Sequence, residues 1–452
     1  MSIKSVSWME EKKLDWRKVS QQELDEAYES HKLFVRGRAG GKRLNFSMTD
    51  LSYLDLAEYD LSNSELTGCR MHESNLEGAK LISANLFSAD FRKANLRGAI
   101  LSKADIRGAS LRGADLTGAT MIEADLRDGV MLKSDKRGNL QRIFEESDGA
   151  QLQNAKIRHA DLTGAKMSNA FVIQTDLTDT VLKGVKFIRA DLRNANLTGS
   201  NLEGADLTEA NLDGAVFSGA IMLGAVLNGT HMAGANLLGA ILDYNDLKKA
   251  DITGALLPSH MEDLEGKLRD ILVEHSKWVE SGGRAGKQAD FSRHDLREKD
   301  LRRVSLGTAK FEYAVLAGCN LTGALLVMSD FSFADLRNAN LQQADLRGAR
   351  FNRANLSGAN LTGARVGPMS IRGTMEYVWP SDLSLSRLNN TILRGADLSH
   401  LNMEGANLEG ADLRDADLTG ANLKDAFCKG ADFRGAQTKN LDCRGATGLE
   451  LD

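Results

Sequence analysis

Leu96, Leu101, Ile106, Leu111, Leu116 and Met121 follow one another at intervals of five, and an alanine stands two places before each, from Ala94 to Ala119. Helices repeat apolar positions about every 3.6 residues and half-buried strands every second residue, so neither sets positions five apart on one face. A five-residue period requires a chain that turns a corner at each repeat, which is a solenoid. The large apolar position runs from Phe46 to Met131, resumes from Leu152 to Leu257, and returns from Phe291 to Val366 and from Leu383 to Cys443.

The number of sides per coil follows from the aromatics. Phe291, Phe311, Phe331 and Phe351 recur every twenty residues. A coil of four five-residue sides stacks them in one interior column at the ~4.8 Å spacing of neighbouring strands, where offset ring stacking is favourable. The small residue two before each large one also faces inward. The other three face solvent, which accounts for the Asp, Asn, Arg, Thr, Ser and Gly found there. On these residues the chain resembles the pentapeptide-repeat family over about three quarters of its length. The resemblance implies an all-β solenoid, a right-handed quadrilateral β-helix; the handedness comes from the resemblance alone. At ~4.8 Å per coil the repeats predict a stack of roughly 80 Å.

The breaks between repeat runs reveal a tandem duplication. Leu24 to His31 and Leu268 to His275 have the same spacing, each followed by Arg-Ala-Gly (Arg38, Arg284) and then by the first repeat, at Phe46 or Phe291. Ser20-x-x-Glu23 is a capping box and Pro258-Ser259-x-x-Glu262 a second helix start. Each helix is read as a cap over the exposed backbone edge of a first coil. Two further breaks, centred on Gly138 and Gly373, read as β-hairpins with a glycine turn. Module one is residues 1–257, with a helical cap, a solenoid over 46–131, a hairpin at about 132–151 and a solenoid over 152–257. Module two is 258–452, with a cap at 259–282, a solenoid over 291–366, a hairpin at about 367–382 and a solenoid over 383–447.

Composition narrows the function. A net charge of −5 with 26% charged residues points neither to nucleic acid nor to an acidic membrane surface. The start of the chain lacks the apolar run of a signal peptide, and no apolar stretch is long enough to span a bilayer. Cys69 and Cys319 occupy small interior sites, and Cys428 and Cys443 large ones, as buried apolar residues do. A reducing cytoplasm suits these thiols, and the expected protein is bacterial and cytoplasmic. The eight histidines show no metal-ligand spacing; His31 and His275, equivalent across the duplication, are read as cap residues. Gly37-Arg-Ala-Gly-Gly41-Lys42 lacks the spacing and the hydroxyl of a phosphate-binding loop. No catalytic residue, metal or cofactor is expected.

Three surfaces depart from the regular pattern. The hairpins carry Phe144, Tyr377 and Trp379, aromatics of the kind that anchor interfaces, or that fold back over a neighbouring face. The stretch from Asn194 to Leu247 has no Lys or Arg, carries Glu203, Asp206 and Asp213, and brings Ile221 and Ile241 to one outward face. Such a patch marks either a contact surface or the seat of the helix at 260–280. The start of module two is basic (Arg284, Lys287, Arg293, Arg297, Lys299, Arg302, Arg303), but interleaved acids read as surface ion pairs, which argues against direct nucleic-acid binding.

The expected function is a non-enzymatic protein–protein interaction scaffold with a protein partner, no membrane association, and a homodimer surface at the C-terminal coil. The alternative comes from the resemblance: Qnr-type members bind DNA gyrase and related mycobacterial members mimic duplex DNA, implying a gyrase- or topoisomerase-binding DNA-mimic-like regulator. A duplex of that length bears roughly 47 negative charges, one per ~1.7 Å, so only a local acidic face such as 203–246 could imitate it.

Overall fold

The computed structural model describes residues 16–134, 140–142, 149–242, 246–257, 268–371 and 377–451. The expected glycine turns at Gly138 and Gly373, the start of the second helix before Leu268, and Phe144 lie outside the described residues.

The five-residue pattern builds the coil it predicts. Parallel bridges join outward residues twenty apart, such as Asn45↔Glu65↔Asn85↔Asp105↔Asp125, on each of four sides. Within one unit the Leu76 N–H donates to Asn95 O at 2.7 Å, Gly78 N–H to Arg97 O at 2.9 Å, and Lys80 N–H to Tyr59 O at 2.8 Å. The Ala79 N–H closes the corner onto Leu76 O at 3.1 Å. Every side is therefore held by backbone bonds to the coils above and below, so little depends on side-chain identity outside the interior. Inside, Phe291, Phe311, Phe331 and Phe351 are fully buried in one column, with ring centroids 5.2, 4.5 and 4.8 Å apart and nearly parallel planes.

Outward Asp and Asn have a local task. The side-chain oxygen of each accepts the N–H two residues on, as Asp90 Oδ1 does from Arg92 at 3.0 Å and Asn95 Oδ1 from Arg97 at 3.3 Å. That bond satisfies a corner donor that the ladder leaves over. The next residue adopts a left-handed backbone, with φ near +60° at Asn63, Lys93 and many glycines, so non-glycine residues carry some backbone cost at these corners. Where arginine follows Asp at i+2, it folds back as a fork: Arg434 Nε and Nη2 donate to Asp432 at 2.9 and 2.6 Å, and Arg444 does the same to Asp442. These forks hold both carboxyls down at about 2, against 3.8 for a free Asp. A depressed folded-state pKa stabilises above the unfolded value and is lost as pH falls through the folded one. Both pairs are exposed, so their share of stability is small; protonation of the two carboxyls, followed by side-chain NMR titration, is expected between 3.8 and about 2. Arg434→Ala with Arg444→Ala should raise its midpoint toward 3.8.

The chain divides into two compact units: Met1–Asn196 with Leu202–Leu212 and Ala225–His231, and Leu197–Asn201 with Asp213–Gly224 and Met232–Asp452. In the first, strand β1 (Arg17–Lys18) pairs in parallel with β2 (Thr49–Asp50), and helix α1 (Gln21–Val35) follows directly. Ser20 caps α1 by accepting the Glu23 N–H at 3.2 Å. Beside it, the carboxamide of Gln21 imitates a strand residue. Its Nε2 donates to Asp55 O at 2.8 Å and its Oε1 accepts the Asp55 N–H at 2.9 Å. Tyr28 OH accepts the Asp60 N–H at 3.0 Å and its ring stacks on Tyr59 at 3.9 Å. In the second unit, helix α2 (Leu268–Glu280) lays Leu268, Ile271 and Leu272 against the buried core instead.

Both ladders run on past their insertions. Ser110 bridges Gln151, and Arg350 bridges Asp382. The first insertion contains β3 (Leu132–Ser134) and β4 (Leu140–Arg142), antiparallel with Leu132 opposite Arg142; the second contains β5 (Met369–Ile371) and β6 (Tyr377–Trp379), with Met369 opposite Trp379.

Three expectations need correction. Met131 is not an interior residue: the last bridge before the insertion is at Asp125, and the Met131 side chain lies over the corner at Gly68, where a Cβ would meet it at 3.1 Å. Cys443 holds an interior position but is exposed, because no described coil stacks on it; Cys69, Cys319 and Cys428 are buried as expected. Burial pushes those three thiols up, to about 11, 12 and 11. The last turns of the first ladder are also less regular than the repeat predicts, with a 3-10 turn over Asp246–Lys249.

Candidate protein-binding surfaces

The hairpins fold back along the solenoid at their bases. In the second unit Met369 and Trp379 sit over the corner at Gly348, where a Cβ would lie 3.0 Å from each. Ser381 fixes the base by accepting the Gly348 N–H at 2.7 Å and donating to Gly367 O at 2.8 Å. Strand alternation then turns Val378, 50% exposed, to the opposite face. In the first unit the backbone at Gly129 lies against Phe87 and Arg107, ahead of Met131 over Gly68. Of the predicted aromatic anchors, Trp379 is thus partly covered by its own solenoid. Tyr377 is placed in β6 by its backbone alone.

Ile221 and Ile241 bridge each other as the twenty-residue spacing requires. The patch they begin is largely closed: Ile241 is 2% and Leu238 3% exposed, whereas Leu223 remains 38% exposed. The first part of the helix expected to seat on it, 260–267, lies outside the described residues. Within the second unit Tyr313 and Phe333, stacked at 4.9 Å, lie against the corner glycines Gly219 and Gly239. A Cβ at Gly239 would come 2.6 Å from Phe333 O, so only glycine permits this approach. Arg387 completes the contact, donating from Nη1 to Gly219 O at 2.8 Å and from Nη2 to Gly199 O. The sequence signal was available in the aromatic pair at Tyr313 and Phe333, which occupies outward corner positions usually given to polar residues.

The acidic residues belong to three successive sides of the coil. Glu203 follows Leu202 on the side of the Asn201↔Ile221 ladder, Asp206 belongs to the Lys186↔Asp206 ladder, and Asp213 follows Leu212 beside Asn211↔His231. Glu203 pairs with Lys183 at 3.0 Å, Asp206 accepts from Thr208 Oγ1 at 2.7 Å, and Asp213 accepts the Ala233 N–H at 2.8 Å. Each is engaged within the coil. At the start of the second solenoid, Arg297 and Arg302 fork onto Asp295 and Asp300 at 2.5 and 2.6 Å, the ion pairs the sequence suggested. A shallow groove in the first unit is lined by Lys103, Arg107, Glu123, Asp125, Lys166 and Lys186, with charges of both signs. Among the described residues no group of three or more His, Cys, Asp or Glu side chains could hold a metal ion, and no helix is long and apolar enough to cross a membrane.

The chain matches the sequence profile described as "Pentapeptide repeats (8 copies)" at residues 45–81, 89–128, 148–184, 186–222, 220–257, 287–326, 329–366, 381–420, 402–437 and 411–446. A search of curated proteins finds no match. Among solved structures, a trypsin-treated QnrB1, a plasmid-mediated fluoroquinolone resistance protein, aligns over 53% of this chain and 97% of its own, at 18% identity and a TM-score of 0.33. HetL, a pentapeptide repeat protein involved in heterocyst differentiation regulation from the cyanobacterium Nostoc, aligns over 78% of this chain and 92% of its own, at 23% identity and a TM-score of 0.17. Rfr23 from the cyanobacterium Cyanothece covers 35% and 91%, at 22% identity and a TM-score of 0.13. The profile spans most of both bridged ladders, and the chain belongs to the pentapeptide-repeat family.

Proposed function

We propose that this protein is a non-enzymatic scaffold that binds another protein through the surfaces where its regular faces are interrupted. The observation that carries the reading is the filled interior. Each side of the coil is closed by Leu, Phe, Met and Ala, which leaves the faces rather than a cavity as the means of recognition. The hairpins are the first candidates. They interrupt the ladder in both halves of the duplication, and in the second the strand pair keeps one face on the solenoid while Val378 faces out. Phe144, Tyr377 and Trp379 remain the proposed anchors. The free thiols of Cys69, Cys319, Cys428 and Cys443, the first three buried, suit a reducing, cytoplasmic setting. Self-association through the last coil belongs to the same reading, supported by Phe427, 56% exposed beside it.

Affinity recovery from lysate, with partners identified by cross-linking and mass spectrometry, tests this. Tyr377→Ala with Trp379→Ala should weaken recovery of the main partner by roughly 30-fold, the effect of about 2 kcal/mol at an interface anchor. Charge reversal at Glu203, Asp206 and Asp213 should leave recovery unchanged, and gyrase supercoiling should be unaffected by the protein. Loss of recovery on charge reversal with the hairpin variant intact would move the site to the acidic residues and revive the DNA-mimic alternative.

A further inference from the structure

Both solenoids begin with the same clasp, and a histidine closes each. In a regular unit the N–H of the small interior residue closes a corner onto the carbonyl three residues earlier, as Ala79 does onto Leu76. At Leu44 and Ala289 no repeat precedes, and that donor turns instead to an imidazole. Leu44 N–H donates to His31 Nδ1 at 3.1 Å, and Ala289 N–H donates to His275 Nδ1 at 3.1 Å. The surroundings repeat as well. His31 stacks on Phe34 and His275 on Trp278, each three residues further along its helix. Lys42 N–H returns to Ser30 O and Lys287 N–H to Glu274 O, both at 3.1 Å. Gly41 and Gly286 make this return possible, since a Cβ at either would meet helix backbone at 2.3 Å.

Both imidazoles are fully buried, and beyond Nδ1 each ring meets backbone, at Ser62 and Lys42 for His31 and at Gly307 for His275. A nitrogen that accepts must carry a lone pair, so Nδ1 is unprotonated and the ring is neutral with its proton on Nε2. Protonation would place an N–H on Nδ1 facing the Leu44 or Ala289 N–H, donor against donor, in a fully buried site. We propose that His31 and His275 are matched acid-release clasps, which hold α1 and α2 onto their first coils while neutral and free them when protonated.

The charges around the rings set the direction. Burial lowers the affinity of both for a proton; at His31 the Asp60 carboxylate opposes this and the Arg43 guanidinium reinforces it. Around His275 the opposing group is the Gly307 backbone. Both folded-state pKa values thus lie below the free value of 6.5. A histidine whose pKa is lowered by folding stabilises above the free value, and that stability is lost as pH falls below it. The Asp432 and Asp442 carboxylates titrate far lower, so the clasps respond in a window apart from theirs.

Hydrogen exchange read by mass spectrometry on the full chain tests the proposal. Between about pH 7.5 and about pH 5.5, after correction for intrinsic rates, opening of α1 and α2 should rise by up to about tenfold, because the opened state takes up the proton. His31→Asn with His275→Asn keeps an acceptor oxygen and removes the titration, so its helices should show no such rise. Equal protection of the wild-type helices at both pH values would overturn the proposal, as would an equal rise in the Asn variant. Should that variant not fold, the wild-type amide signals of Leu44 and Ala289 decide. They must shift with the imidazole titration, and signals constant across the window would refute the clasps.

Discussion

Phe331→Asp is expected to abolish the folded state of the second unit. Phe331 lies fully buried between Phe311 and Phe351, 4.5 and 4.8 Å from their ring centres. Truncating a buried Phe costs about 3–5 kcal/mol, and an unpaired buried carboxylate adds several more. The sum rivals the whole stability of a typical domain, about 5–15 kcal/mol. The damage is also not confined to one coil, because each coil is held chiefly by its two neighbours. Differential scanning calorimetry and hydrogen exchange should show the transition of this unit lost, with residues 291–366 unprotected. Phe331→Leu, which keeps an apolar side chain of lesser volume, should fold with a modestly lower Tm. A Phe331→Asp protein with wild-type protection over those residues would mean that the ring column does not carry the core.

Deleting residues 1–40 is expected to convert a soluble protein into an aggregating one. The deletion removes β1, which pairs with Thr49 and Asp50, and Gln21, Tyr28 and His31, which bond to Asp55, Asp60 and Leu44. The first coil would then present strand donors and acceptors with no protein partner, a template for addition of another chain. It would also uncover the apolar surface beneath Leu24, which is fully buried on α1. Light scattering after size-exclusion chromatography gives the answer. A deletion protein that elutes as a single sharp peak at the wild-type oligomeric state would show that α1 is an appendage rather than a cover.

The coil was legible in the sequence because its determinants are local and repeated. Ala94 and Leu96 specify one corner, and Phe291 with Phe311 gives the number of sides. The clasp histidines were legible only as a coincidence of spacing, since nothing in Leu24-to-His31 says which backbone donor the ring will meet. Met131 shows the opposite failure. It continues the period and the apolarity of the repeat, yet the chain has already left the ladder at Asp125 and lays the side chain over Gly68. Periodicity cannot distinguish an interior residue from an apolar residue on the outside of a corner. Glu203, Asp206 and Asp213 illustrate a related point about reading faces from sequence. They are neighbours in sequence, but in a coil that turns every five residues a few positions separate one side from the next. Tyr313 and Phe333 were readable as aromatics at polar positions, whereas their partner glycines look like any other corner.

The bridging pattern turns sequence length into angle. Asn45 and Asp125 stand on one ladder, so the first insertion leaves from the side on which the first solenoid begins. Asp290 and Arg365 stand on different ladders, so the second leaves a quarter-turn short of that side. Gain or loss of one repeat therefore acts as a rotation of everything downstream, while gain or loss of a whole coil changes only reach. Inserted segments that return to their ladder, as these two do, change neither. Such a chain can be retuned by three independent kinds of edit: repeats dial the bearing of a face, coils set its distance, and corner insertions decorate it without moving anything else.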